Sequence, residues 1–222
     1  MVINRYITIF GNIIILIFDL MTSIITADII NSGKLPTSKW MELLKTRLQI
    51  YGSMPQQWEI YRGDEFQLEV GPTDALLAAI SIKAALKTIK LDARMSIGIG
   101  QKEYTAQKIT ESNGPAFIRS GQLFETLKQR KVTLAIHSGN DIFDQQMNLM
   151  LRLAGTIMDG WLPQSAEFVL TAIDFPQLSQ EEIGQKLGIN QAAVSRRQKR
   201  SNFDLIMDLD NFYKKQVKNF NQ

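Results

Sequence analysis

Apolar and polar positions along the chain change period several times, and each change marks an element. From Met21, the β-branched run MTSIITADII reads as a strand, Ser23–Ile29, ending at Asp28 and followed by the turn-rich Asn31-Ser32-Gly33. Trp40, Leu43, Leu44 and Leu48 recur at helical spacing, which predicts a helix to about Tyr51 with Thr37 or Ser38 as its cap. Two short strands, Gln57–Tyr61 and Phe66–Val70, flank Arg62-Gly63-Asp64-Glu65, a hairpin signal because Gly and Asp suit tight turns. Pro72 fits the first turn of a helix that Thr73–Lys90 extends, and Arg94–Gly100 is a fourth strand. Strand, helix, strand, strand, helix, strand is the split βαβ order of a ferredoxin-like domain. A helix over Pro115–Gln129, a strand over Val132–His137 and a helix over about Asp141–Asp159 follow. Gly160-Trp161-Leu162-Pro163 reads as a hinge, with three helices to about Ser201 and a last one from Asn202. The expected class is α+β: a ferredoxin-like domain over 21–160, then an all-α domain over 161–222.

Residues 1–20 stand apart from this pattern. Tyr6–Phe18 carries no charge, but as a helix its span of ~20 Å falls short of the ~30 Å hydrocarbon core. Lengthening it through Ile30 buries Asp19 and Asp28, at high cost. The preferred reading is an N-terminal extension from an upstream start. A membrane anchor, making the chain a tethered interaction protein, stays open beside it.

The chain has 222 residues and no Cys, which excludes disulfides, thiolate catalysis and Cys-ligated metals. One histidine, His137, excludes a multi-His metal site, and its place at a strand end reads as a surface or capping residue. The net charge of +3 is unevenly placed. From Ser179 onward eight Lys and Arg face five Asp and Glu, whereas residues 1–178 hold 17 of each sign. Four of those cations fall within Arg196–Arg200, and localised positive charge on a helix is the footprint of nucleic-acid binding.

Those cations lie inside a second pattern. Gln180–Leu187 reads as one helix, Gly188-Ile189-Asn190 as a turn and Gln191–Ser201 as a second helix capped by Asn190. Ile183, Leu187, Ile189 and Val194 are apolar where crossing helices touch, and Gly184 is small where they come closest. The outward face carries Gln191, Ala192, Ser195, Arg196, Lys199 and Arg200, residue types that bind base edges and phosphates. The stretch LSQEEIGQKLGINQAAVSRRQKR resembles bacterial helix-turn-helix regulators, which implies DNA as a partner. Arg197 departs from the apolar residue usual at its position, with Phe203 as its expected compensation. A hairpin that only packs on the first domain is the plainer alternative.

In a ferredoxin-like sheet the first and third strands are central neighbours, which brings Asp28 beside Asp64 and Glu65. Converging carboxylates raise one another's pKa unless a divalent cation neutralises them, here Mg²⁺ or Mn²⁺ with nucleotide phosphates as further ligands. Lys34 and Arg62 flank this edge, either to hold phosphates or to pair with Asp28 and Asp64. Thr26-Ala27-Asp28-Ile29-Ile30, Tyr61-Arg62-Gly63-Asp64-Glu65-Phe66 and RMSIGIG (Arg94–Gly100) resemble motifs of class III nucleotidyl cyclases and GGDEF diguanylate cyclases. That resemblance implies Asp28 and Asp64 as metal ligands, with Glu65 as the GGDEF-type alternative. The cyclase helix that supplies a transition-state Asn and Arg has Ile118 and Gln122 at those spacings after Gly114, which argues against an active enzyme. The first Gly of GGDEF is Arg62. Purely structural turns at Asp28 and Arg62–Glu65 remain an alternative.

ADIINSGKL, RGDEFQ, RMSIGIG, ESNGPAFIRSG and the C-terminal helix-turn-helix, in that order, resemble the SatD family of small bacterial proteins. The resemblance implies an architecture more than an activity. The functional expectation is a cytoplasmic DNA-binding regulator with a degenerate cyclase-like domain that senses a nucleotide or mediates homodimerisation. A metal-dependent nucleotide enzyme is the alternative. Met147, Leu149, Met150, Leu151, Leu153, Ile157 and Met158 make a nearly all-round apolar helix, expected to be buried between domains or in a homodimer seam. Trp40, Trp58, Tyr61 and Phe66 are expected in the core or at a domain interface.

Overall fold

A computed structural model describes residues 21–221. The apolar run Tyr6–Phe18, and with it the extension and anchor readings, lies outside the described residues. Among the described residues no helix is long and apolar enough to cross a membrane.

The chain is α+β. Five strands, β1 (Met21–Ile30), β2 (Trp58–Tyr61), β3 (Glu65–Val70), β4 (Asp92–Gln101) and β5 (Leu134–His137), form one sheet in the order β2-β3-β1-β4-β5. The first four are antiparallel to their neighbours, and β5 joins β4 in parallel. Three helices are interleaved: α1 (Thr37–Gln49), α2 (Ala75–Thr88) and α3 (Pro115–Arg130). Five more follow β5: α4 (Asp141–Met158), α5 (Pro163–Asp174), α6 (Gln180–Leu187), α7 (Gln191–Ser201) and α8 (Phe203–Lys218).

Register gives the sheet two different faces, because side chains alternate along each strand. Ile25 stands opposite Leu68 and Ile97, and Ala27 opposite Phe66 and Met95. All of these are buried in the main core with α1 and α2. On the other face Thr26 stands opposite Gln67 and Ser96, and Asp28 opposite Glu65 and Arg94. α3 lies across this polar face. The sequence permits it by putting Gly98 where the helix crosses, since a Cβ there would sit 2.2 Å from the Ala116 carbonyl oxygen and 2.4 Å from the Ser120 nitrogen. The Thr26 and Ser120 hydroxyls then share a hydrogen bond of 2.7 Å, and the Ser96 hydroxyl donates to the Ser120 carbonyl at 2.8 Å.

The C-terminal helices share the main core. One apolar cluster runs from Ile25 through Phe168 and Val194 to Val217. Each fully buried Leu or Ile in it stabilises the fold by roughly 1.5–3 kcal/mol. Polar contacts fix the alignment: Arg47 donates both terminal nitrogens to the Asp174 carboxylate at 2.6 and 2.8 Å, and the Tyr213 hydroxyl donates to the Pro72 carbonyl at 2.5 Å. Burial pushes the Tyr213 phenol up, and the nearby Asp210 and Asp74 charges add to it. Trp161, between α4 and α5, is buried and donates its indole N–H to the Ser201 carbonyl at 2.9 Å.

Four local expectations are corrected. Pro36, extended at ψ 133°, takes the cap position of α1, so neither Thr37 nor Ser38 caps it. Pro72 and Thr73 form a turn ahead of α2 rather than its first residues, since the Asp74 N–H closes it on the Gly71 carbonyl and the helix begins after Asp74. Trp40, Trp58 and Phe66 are buried, but Tyr61 is only half-buried. In α4 Met147, Leu151 and Met158 are buried while Leu149 and Leu153 stand exposed.

Candidate functional site

The polar sheet face carries the predicted acids. β1 and β3 place Asp28 directly opposite Glu65, and the turn between β2 and β3 brings Asp64 near both. Arg62 and Gly63 take positive φ (47° and 83°) in that turn, which bends the backbone so that the Asp64 carbonyl accepts from the Ile29 N–H at 3.2 Å. The Asp64 carboxylate accepts from the Ser32 hydroxyl at 2.5 Å. The charge partner of Asp28 is Arg94 of β4, whose guanidinium donates to Oδ2 at 3.0 Å. Asp28 Oδ1 is buried and finds no hydrogen-bond partner among the described residues. Burial holds the Asp28 carboxyl above its ordinary pKa. Arg94 pulls the other way, Asp64 adds to the rise, and Lys128 of α3 offsets part of it.

Lys34 and Arg62 are both exposed, and neither pairs with an acid among the described residues. The pairing anticipated for them is made instead by Arg94 and Ser32, because register, not sequence proximity, decides which side chain faces Asp28. Among the described residues no group of three or more His, Cys, Asp or Glu converges so as to hold a metal ion. The guanidinium of Arg94 supplies at Asp28 the neutralising charge that a divalent cation would bring, so the donor set does not fit a two-metal centre.

Beside this edge a cleft of about 460 Å³ opens between the β2–β3 hairpin and α3. Tyr61, Arg62, Glu65, Gln67, Phe124 and Glu125 line it. The Tyr61 phenol is pushed up to about 12 by burial, with Glu65 and Glu125 adding to the rise and Arg62 opposing it. Gln67 donates to the Thr26 hydroxyl at 3.5 Å, while its own carbonyl oxygen is buried with no partner among the described residues. The cleft therefore pairs an aromatic wall with one unsatisfied buried acceptor, the Glu65 and Glu125 carboxylates, and the Arg62 guanidinium, which is unpaired among the described residues. Ile118 and Gln122, in the places of the cyclase Asn and Arg, are exposed on α3.

The second candidate surface is the pair α6 and α7. Ser179 and Glu182 form a reciprocal capping box at the start of α6. The Ser179 N–H, then its hydroxyl, hold the Glu182 carboxylate below its ordinary pKa. Gly188 ends α6 at φ 66°, and Asn190 caps α7 by accepting from the Ala193 N–H at 2.9 Å. A Cβ on Gly184 would meet the Ile189 carbonyl at 2.7 Å, so the helices can touch only where that position is bare. Val194 is fully buried and Ile183 nearly so. Gln191, Ala192, Arg196, Lys199 and Arg200 are exposed, with Ser195 half-buried beside them. Among the described residues Arg196, Lys199 and Arg200 make no ion pair.

The model of the SatD family matches residues 14–216. The chain belongs to the SatD family. No curated protein matches it. In this SatD-family chain the match takes in the whole sheet, the carboxylate edge and both helices of the α6–α7 pair.

Within the family frame, two residues behave differently from expectation. Arg197 is compensated by Glu167 of α5, which accepts from its guanidinium at 2.6 Å, and not by Phe203, which stacks edge-on against Phe168 at 5.5 Å. His137 sits at the end of β5, part-exposed, with Nε2 4.0 Å from Asp144. Arg94, Tyr61, Gln67 and Glu125 were missed as site residues. Arg94 alone carried a usable signal: a cation in a β-strand run, two residues before Ser96, falls on the same face as Ser96.

Proposed function

We propose that this protein is a DNA-binding regulator in which α6, the three-residue turn and α7 act as a helix-turn-helix. The observation that carries the reading is the division of labour on α7. Arg197 is spent inward on Glu167, while Arg196, Lys199 and Arg200 project with no acid to neutralise them. Unpaired cations on one exposed helix release counterions when they meet phosphates, which is the main source of non-specific DNA affinity. Gln191 and Ala192, in the first turn of α7, are where such helices present side chains to base edges. A Gln amide suits adenine and an Arg fork suits guanine, whereas Lys199 and Arg200 in the last turn suit backbone phosphates.

The strand order β2-β3-β1-β4 supports reading residues 21–160 as a ferredoxin-like, nucleotidyl-cyclase-like domain, with 161–222 as the DNA-binding part. Its role in this reading is to sense a nucleotide. The cleft offers Phe124 and Tyr61 to a base, Gln67 and Glu65 to its N–H groups, and Arg62 to a phosphate. No turnover step is assigned, because Ile118 has no polar group and Gln122 no positive charge at the positions of the cyclase Asn and Arg.

Anisotropy titration of a labelled heterogeneous duplex, between about 50 and 200 mM salt, tests the DNA reading. Affinity should fall steeply with salt, and Arg196→Ala should weaken binding and reduce the log–log slope by about one. Salt-independent binding, or an unchanged slope when Arg196, Lys199 and Arg200 are all replaced by Ala, refutes it. Repeating the titration with ATP or GTP tests the sensing role separately, since an unmoved curve removes that role and leaves DNA binding standing.

A further inference from the structure

α4 and α8 leave between them an apolar groove of about 320 Å³, with Met150, Leu153 and Ile157 on one side and Leu205, Leu209 and Phe212 on the other. Leu153 is 63% exposed and Leu205 58%. A contiguous greasy surface of this kind on a charged protein marks an interaction face. The charges along α8 say which kind. The stripe that includes the exposed Leu205 and the half-buried Phe212 bears Asp208 in the first half of the helix and Lys215 in the second, two turns apart. Neither makes an ion pair among the described residues, and Lys218 and Asp204 extend the same acid-to-base gradient outward.

From this pattern we infer that the groove is closed by a second copy of the same chain, with the two α8 helices antiparallel across a two-fold axis near Phe212. A two-fold axis at that point lays Asp208 against the partner's Lys215 and Lys215 against the partner's Asp208. The stripe is thus complementary to itself, as an isologous interface requires. A parallel arrangement would set Asp208 on Asp208 and Lys215 on Lys215, which like-charge repulsion disfavours. Leu205, Phe212 and the exposed Leu153 of α4 then leave water together, which supplies the driving force.

The geometry has a consequence for α7. Asn202 both ends α7 and begins α8, so whatever fixes α8 also fixes α7. Pairing through α8 sets two copies of α7 at one separation about a two-fold axis, the condition for reading a two-fold symmetric DNA site. The dimer inference does not depend on DNA binding.

Sedimentation velocity on the full chain at about 1, 10 and 100 μM is the test. A dimer is expected, and both Leu153→Glu and Leu205→Lys, the latter opposite the partner's Lys218 about this axis, should give monomers whose circular dichroism matches the parent. Asp208→Lys and Lys215→Asp should each raise the dimer dissociation constant about tenfold, by turning two attractive rim pairs into repulsive ones. The Asp208→Lys/Lys215→Asp combination should return it to near the parent value, and loss in each single variant with recovery in the combination is the antiparallel signature, since parallel pairing sets like charges face to face in every one of these chains and so shows no loss in the singles. A monomeric parent at all concentrations, a dimer indifferent to both Leu substitutions, or failure of the combination to restore affinity overturns the inference. A monomer that still binds DNA overturns it without touching the DNA reading, and a dimer that ignores DNA does the reverse.

Discussion

Gly98→Ala should destabilise the protein by about 3–5 kcal/mol, the reverse of the usual effect, because Ala in place of a strand Gly ordinarily gains roughly 0.5–1 kcal/mol from the unfolded chain. The added Cβ would lie 2.2 Å from the Ala116 carbonyl oxygen, 2.4 Å from the Ser120 nitrogen and 2.8 Å from Ser120 Cβ. Two of these are backbone atoms, so no rotamer change relieves the clash. Ordinary carbon–oxygen contact begins near 3.3 Å, so α3 must withdraw from β4 by about 1 Å. Ser120 rides on that helix. Its hydroxyl is 2.7 Å from Thr26 and its carbonyl 2.8 Å from the Ser96 hydroxyl, so both bonds stretch past useful length while all three groups stay buried. Overpacking costs about 1–3 kcal/mol, and each lost hydrogen bond about 1 kcal/mol more. Denaturant unfolding followed by circular dichroism measures the difference. Gly33→Ala is the control, because a Cβ there meets nothing within 4 Å and its φ is not positive. A loss under about 1 kcal/mol at Gly98, or equal effects at the two positions, refutes the claim that α3 is seated on a bare strand.

Two further outcomes follow from charged groups. Arg47→Ala should cost about 2–4 kcal/mol, since it removes a two-pronged bond to Asp174 and leaves the buried Ser81 hydroxyl without its donor. Amide hydrogen exchange should quicken in α5, and unchanged exchange there would show that the fork does not hold α5 to α1. Asp28 titrates above its ordinary pKa of 3.8 because burial disfavours its charge. Its stabilising contribution is therefore complete below pH 3.8 and declines as pH rises through the raised pKa. The stability of the parent minus that of Asp28→Asn should fall across that window and then level off. A difference that climbs with pH would mean that Arg94 outweighs burial.

The parts of the fold legible in the sequence are those whose boundaries carry their own chemistry. α6 and α7 start and stop where the sequence placed them because Ser179, Gly188 and Asn190 each satisfy backbone groups at a helix end without outside help. The strands were legible through their β-branched runs and the turn residues between them, and the ferredoxin-like order expected from them is what put Asp28 beside Asp64 and Glu65. What stayed hidden depends on partners far away in the chain. The counter-ion of Asp28 lies 66 residues off on β4, and local cations such as Lys34 and Arg62 drew attention from it. Arg197 looked like a flaw in an apolar position, yet Glu167, 30 residues earlier, makes it a tether between α7 and α5. Pro72 fits a turn as well as a helix start, and it stands in a turn closed by the Asp74 N–H on the Gly71 carbonyl, its own carbonyl accepting from Tyr213, 141 residues away.

The same distinction reinterprets the basic surplus of the last 44 residues. A count of net charge treats all eight cations alike, but three have a fixed internal use. Arg197 bonds Glu167, Lys214 bonds the buried Asp210, and the Lys186 ammonium lies 3.9 Å above the Phe175 ring. The acids are divided in the same way: Glu182 closes its capping box and Asp204 accepts from Gln198. Cations already bonded in the fold would have to give up those partners to bind anything else, at a cost that cancels most of the gain. The remaining five, Arg196, Lys199, Arg200, Lys215 and Lys218, fall on two surfaces rather than one. Three cover α7 with no acid among them, which suits a uniformly anionic partner such as a phosphate backbone. The two on α8 share their helix with Asp204 and Asp208, which suits a partner of mixed sign, and a reversed copy of the same helix is such a partner.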